Sequence, residues 1–172
     1  MSARRALLSV LAFAVLAAVF AGCTGEDTVP YERGIEDILS PVTALNAEIG
    51  EAISAIASSS GGQSGGPSGV SALIDLRNNA VALEMEAGQA LHRLQDMDIP
   101  SGCREFHDLL TAAMAEFELM GAEYAAGADI FAEGRGEELI DVAALDRANA
   151  HLQTAEQKLN EASGAPADAC SG

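Results

Sequence analysis

The sequence predicts an all-α protein, an antiparallel four-helix bundle preceded by a cleaved signal peptide. Three observations carry that expectation. Apolar residues recur at steps of three and four through four separate segments, the spacing of one buried face on a helix. No segment sustains the period-two alternation of a half-buried strand. The chain has 172 residues and no low-complexity bias over its whole length, which suits one domain around one core.

The first element is an export leader, residues 1–22. Arg4 and Arg5 form a short positive region, and Ala6 to Phe20 is an apolar run interrupted only by Ser9. At helical rise that run spans about 22 Å, short of the roughly 30 Å hydrocarbon core, so it reads as a signal peptide rather than a lasting membrane span. It ends in Phe20-Ala21-Gly22-Cys23. This resembles the lipobox of prokaryotic lipoprotein precursors over residues 1–23 only, with Phe20 where that family prefers Leu. The resemblance implies cleavage behind Gly22, with the small Ala21 and Gly22 admitting the peptidase. It also implies palmitate-type acylation of Cys23, which becomes the mature N-terminus. Two acyl chains on that sulfur would give the stable attachment that a single chain lacks. Arg4-Arg5-Ala6-Leu7-Leu8 also fits the core of a twin-arginine signal, so the export route stays open.

Residues 23–29 then form a short tether, and an acidic helical bundle occupies 30–172. The first helix carries Ile35, Ile38, Val42, Leu45, Ile49, Ala52 and Ile56 on one stripe, with Leu39 and Ile53 widening it. Pro41 interrupts this segment, either starting a new helix or kinking one; the kinked single helix is preferred. Residues 58–69, Ser-Ser-Ser-Gly-Gly-Gln-Ser-Gly-Gly-Pro-Ser-Gly, hold nothing that repays ordering and form a flexible loop. The second helix spans about Val70 to Met97 on Leu73, Leu76, Ala80, Leu83, Ala87, Ala90, Leu94 and Met97. Pro100 breaks the chain, and Ser101 is placed to cap the third helix. That helix carries Cys103, Phe106, Leu110, Ala113, Phe117, Met120, Tyr124 and Phe131, and supplies the bulk of the core. The fourth starts near Glu137, with Glu137 and Glu138 at its positive end. Its stripe is Leu139, Val142, Leu145, Ala148, Leu152, Ala155, Leu159 and Ala162, ended by Gly164 and Pro166.

Two cysteines remain beyond Cys23. Cys103 opens the third helix and Cys170 follows the fourth. Antiparallel helices of similar length bring these two ends together, and exported cysteine pairs normally oxidise, so a Cys103–Cys170 disulfide is expected. Its 67-residue loop corresponds to about 4 kcal/mol on a chain-entropy model.

Net charge is −17, from 26 Asp+Glu against 9 Lys+Arg, and removing residues 1–22 takes away only Arg4 and Arg5, leaving −19. Such a body does not bind a nucleic-acid backbone and is repelled by anionic lipid, so the membrane contact falls to acylated Cys23. The sharpest chemical candidate is a zinc set of Cys103, Cys170, His107 and His92, since folding about Pro100 brings the two histidines level. Oxidation of the thiols competes with it, and the expected alternative is two partly exposed histidines beside a disulfide. Di-iron chemistry needs Glu-x-x-His pairs, but the histidines follow Gln89, Arg104 and Ala148 at that spacing. Met85, Met97, Met114 and Met120 are too dispersed for a copper or haem site. Asp75, Glu84, Glu86, Glu116, Glu118 and Glu123 read as a solvated face rather than cation ligands. Arg77, Asn78 and Asn79 form a polar patch in the second helix. No P-loop, zincin or nucleophile-elbow motif occurs.

The expected protein is therefore a lipid-anchored, extracytoplasmic interaction or envelope-associated module, without catalysis or cofactor. It would face outward from a cell membrane or outer envelope, with a protein partner there. The alternative is a bundle that binds or senses a metal ion or small ligand.

Overall fold

The computed structural model describes residues 29–59, 67–100, 102–129 and 140–164. They form four helices, α1 (Val29–Ser59), α2 (Pro67–Gln95), α3 (Arg104–Gly127) and α4 (Val142–Gly164), with no strand among the described residues. The protein is an all-α four-helix bundle, as its periodicity predicts. The leader with Ala21 and Gly22, Cys23 and most of the tether, residues 60–66, Ser101, Phe131 and Cys170 lie outside the described residues.

α1 is one helix with Pro41 inside it. Pro41 has no N–H to give to the Asp37 carbonyl, and burial of the stripe outweighs that loss. Ile35, Ile38, Leu39, Val42, Ile49 and Ala52 are buried, while Leu45, Ile53 and Ile56 pack partly exposed against them. Hydroxyls bond back to carbonyls four residues earlier, Thr43 to Leu39, Ser54 to Gly50 and Ser58 to Ser54, each at 2.8 Å. The helix takes Ser58 and Ser59 from the expected loop, and Val29 from the expected tether. At the other side of that loop α2 begins at Pro67, three residues before the expected start. Proline suits a first turn because its φ is already helical and no N–H partner is needed there.

α2 closes with a tightened turn, Met97 N–H to Leu94 O at 3.1 Å. A second turn, Cys103 N–H to Pro100 O at 3.1 Å, passes through Gly102 at φ 93°, a left-handed conformation that glycine takes without a Cβ penalty. α3 then starts at Arg104 with Cys103 in the cap position and no side-chain cap bond. The expected cap by Ser101 is corrected accordingly, because the turn at Gly102 moves the helix start two residues on.

Two further boundaries correct the sequence reading. α3 stops at Gly127, four residues before Phe131: the Ala128 N–H makes the last i→i−4 bond, to the Tyr124 carbonyl, and the Asp129 N–H reaches only the Ala126 carbonyl, at 3.5 Å. α4 starts at Val142 rather than near Glu137. Asp141 caps it: its carboxylate accepts the Ala144 N–H at 3.1 Å, and its carbonyl accepts that of Leu145 at 3.1 Å. Asp141 N–H also bonds to Gly127 O at 3.0 Å, tying the end of α3 to the start of α4. Val142, expected to face inward, is 65% exposed, and Ala144 is buried instead. The cap turns the first residue of α4 outward.

Extensive backbone approach is confined to consecutive helices. Their order is antiparallel. Arg77 meets Asp129 while Gly88 meets Glu118, so α3 descends as α2 rises. Glu123 meets Arg147 while Glu116 meets His151, giving the same sense between α3 and α4. Gly121 permits the closest crossing, since a Cβ there would lie 2.6 Å from the Glu84 nitrogen and 2.8 Å from the Ala80 oxygen. The centre is filled by Leu76, Leu83, Leu94, Leu110, Met114, Phe117, Met120, Tyr124 and Leu159, with alanines between them.

Candidate functional site

At the end of the bundle holding the start of α1, the end of α2 and the start of α3, a polar group sits inside the core. His107 is 4% exposed, the one buried polar or charged residue among those described. Tyr31 of α1, itself buried, places its hydroxyl 3.0 Å from His107 Nδ1, with the rings tilted 36°. The ring is also hydrogen-bonded to the backbone of Leu94 in α2. A carbonyl can only accept, so the assignment satisfying both contacts has Nε2–H donating to Leu94 O and Nδ1 accepting from the Tyr31 hydroxyl. His107 is thus a neutral bridge from α3 to two other helices. Burial lowers its pKa below the ordinary 6.5, opposed by Asp108 next to it in the chain and by the Leu94 bond. Burial, aided by Asp108, holds the Tyr31 phenol well above its usual range, so it remains a donor.

This arrangement corrects the sequence expectation. His107 is not partly exposed, and both ring nitrogens are engaged, leaving no lone pair for a metal. His92 is exposed on α2. Cys103, 1% exposed, lies one turn before His107, and Cys170 lies outside the described residues. Among the described residues, no group of three or more His, Cys, Asp or Glu is arranged to hold a metal ion.

A second polar arrangement runs along the α3–α4 seam. Arg147 makes a two-pronged pair with Glu123, Nε to Oε1 at 2.9 Å and Nη2 to Oε2 at 2.8 Å. That bond holds the Glu123 carboxyl below the usual carboxylate range. Between the two rungs, the Tyr124 hydroxyl donates to Asn149 Oδ1 at 3.0 Å, and burial pushes the Tyr124 phenol up to about 12. One turn further, His151 Nδ1 is 2.7 Å from Glu116 Oε2. So Glu116 and Glu123, expected on a solvated face, cross-link two helices. Asp75 is exposed, Glu84, Glu86 and Glu118 are half-buried, and the patch at Asn78 and Asn79 is respectively exposed and half-buried, with Arg77 3.6 Å from Asp129.

Sequence reasoning missed Tyr31 and the partner roles of Arg147 and His151. Tyr31 was findable, since it precedes Ile35 by four residues and extends the α1 stripe backward. Met85 is 61% exposed, whereas Met114 and Met120 are core residues. No helix among the described residues is long and apolar enough to cross a membrane. No family model, curated protein or solved structure matches this chain.

Proposed function

We propose that this chain is a lipid-anchored, extracytoplasmic helical lipoprotein, acting without catalysis as an interaction or envelope-associated module. One observation carries the reading: a positive, then apolar, then Phe20-Ala21-Gly22-Cys23 sequence at the N-terminus. In this reading Gly22 is the last residue removed and Cys23 bears the acyl chains. The acidic body contributes solubility and keeps off anionic headgroups, so attachment rests on the anchor alone. Labelled palmitate supplied to producing cells should enter the wild-type protein and not Cys23→Ser. Equal incorporation in both would refute the anchor.

We also propose that Cys170 pairs with Cys103. The α3–α4 register, carried along the seam, brings the end of α4 to the level of the first turn of α3. Cys170 is six residues past Gly164 in the sequence, a length of chain that can span back to the buried Cys103. Intact mass and thiol titration of the exported protein should give no free thiol until reduction releases two. Two free thiols in the unreduced, freshly purified protein would remove the pairing.

A further inference from the structure

We propose that the buried Tyr31–His107–Leu94 bridge is an acid-sensitive latch whose protonation releases α1 from the rest of the bundle. The geometry carries this. His107 is the one described histidine sealed in the core, and its ring joins three helices, taking a proton from the α1 phenol and giving one to an α2 carbonyl. A neutral imidazole fits both roles. An imidazolium has two donors, so the Tyr31 oxygen would have to accept and turn its own hydrogen into the apolar interior.

The charges around the ring do not rescue the ion. From α1 the ring meets Tyr31, a phenol held protonated; from α2 it meets the uncharged Leu94 carbonyl. On α3, Asp108 is the charged group that bears on it, and Asp108 is exposed. Among the described residues no carboxylate pairs with the ring, and the buried Glu32 Oε1 of α1 makes no hydrogen bond to it, so the protonated ring needs water, which arrives only if a neighbouring helix moves away.

α1 is the helix that can move. Its extended close contact is with α2 alone, and its tie to α3 at this end is Tyr31. α2 is locked to α3 where Gly121 lies against the Ala80 and Glu84 backbone, and α3 packs on α4 over an extended close contact in which Leu145 and Ala144 lie against Gly127. Met97, near the clasp, packs close to Gly34 by the flexible end of its side chain, which can follow or withdraw. The sign of the linkage is fixed by the lowered pKa of the docked ring. Docking is at full strength above about pH 6.5. It weakens, at most about tenfold per pH unit, as pH falls from there to the docked ring's own lower value.

Hydrogen exchange of the full chain tests this, with rates corrected for intrinsic pH dependence and compared between pH 7.5 and 5. The expectation is that amides of α1 lose protection at least severalfold in wild type, while those of α3 and α4 keep theirs. His107→Gln keeps an uncharged donor and acceptor at the latch, and its α1 protection should stay flat. Flat wild-type protection would overturn the latch. So would an equal loss in His107→Gln, which would assign it to carboxylates, or a loss shared by all four helices. Should that variant fail to fold, wild type still decides through its three histidine ring signals. The midpoint for His107 must lie below the ordinary imidazole value of about 6.5 and must coincide with loss of α1 protection. A midpoint separate from that loss overturns the proposal.

Discussion

Gly34 and Gly121 both lie close against a neighbouring segment, yet replacing them by alanine should move stability in opposite directions. At Gly121 the new methyl would meet backbone atoms of Glu84 and Ala80 at 2.6 and 2.8 Å, so two helices would have to separate. Gly121→Ala should lose about 1–3 kcal/mol even after alanine's gain of about 1 kcal/mol in helix propensity. At Gly34 the close atom is Met97 Cε at 2.8 Å, the far end of a side chain with three free torsions. Gly34→Ala should therefore be neutral or stabilise by up to about 1 kcal/mol. Urea denaturation midpoints separate the two, and a stabilised Gly121→Ala would show that α2 and α3 do not approach as described. A third side chain tests polar burial. The Thr111 hydroxyl is buried without a hydrogen-bond partner. Valine has the same shape and no hydroxyl to desolvate, so Thr111→Val should raise stability by about 1 kcal/mol. A loss of that size would mean the hydroxyl has a partner in solution.

Among the elements, the start of α4 depends most on a single side chain. Asp141 satisfies the Ala144 N–H with its carboxylate, and its own N–H is tied to Gly127, so one residue both caps α4 and fixes the connection from α3. Asp141→Ala should cost about 1 kcal/mol. Asp141→Asn should retain most of that, and both are readable as shifts in thermal midpoint. Equal losses in the two variants would mean that charge rather than the cap bond is what matters there. This residue also shows what a sequence does and does not disclose. The four stripes were legible because burial selects residue type at every third or fourth position: Ile35, Leu83, Phe117 and Leu159 are all inside, as their spacing requires. Ends are less legible. Hydrophobic spacing runs past a helix end without marking it, so it carried α3 to Phe131 and began α4 near Glu137, while a local cap at Asp141 and a turn at Gly102 set the real starts. The latch was half legible. His107 and Cys103 stood out as chemical residues, but only tertiary packing brings Tyr31, 76 positions away, onto the ring. A zinc reading followed from residue type, and the direction of the two ring nitrogens is what removes His107 from it.

Over the whole molecule, one sign of charge dominates. With 26 acidic against 9 basic residues, most carboxylates have no cation to answer them, and folding crowds them together. The ion pairs present lie near the surface: Arg147 is 55% and Arg77 42% exposed in their side chains. Solvent and side-chain entropy leave exposed pairs of this kind little net contribution to stability. Added salt screens both terms, but they differ in reach. A contact pair at 2.8 Å lies inside the screening length at any ordinary ionic strength, whereas repulsion acts between carboxylates many ångströms apart. That length falls from roughly 20 Å at 20 mM salt to about 4 Å at 0.5 M, so repulsion is relieved first. The thermal midpoint should accordingly rise by several degrees between 20 mM and 0.5 M sodium chloride at pH 7.5. That pH keeps His107 neutral, so the latch does not enter. Chloride is the right salt because sulfate would also strengthen apolar burial and blur the cause. A midpoint that falls with chloride would mean that the α3–α4 rungs, and not the unbalanced acidic surface, set the electrostatic part of this bundle's stability.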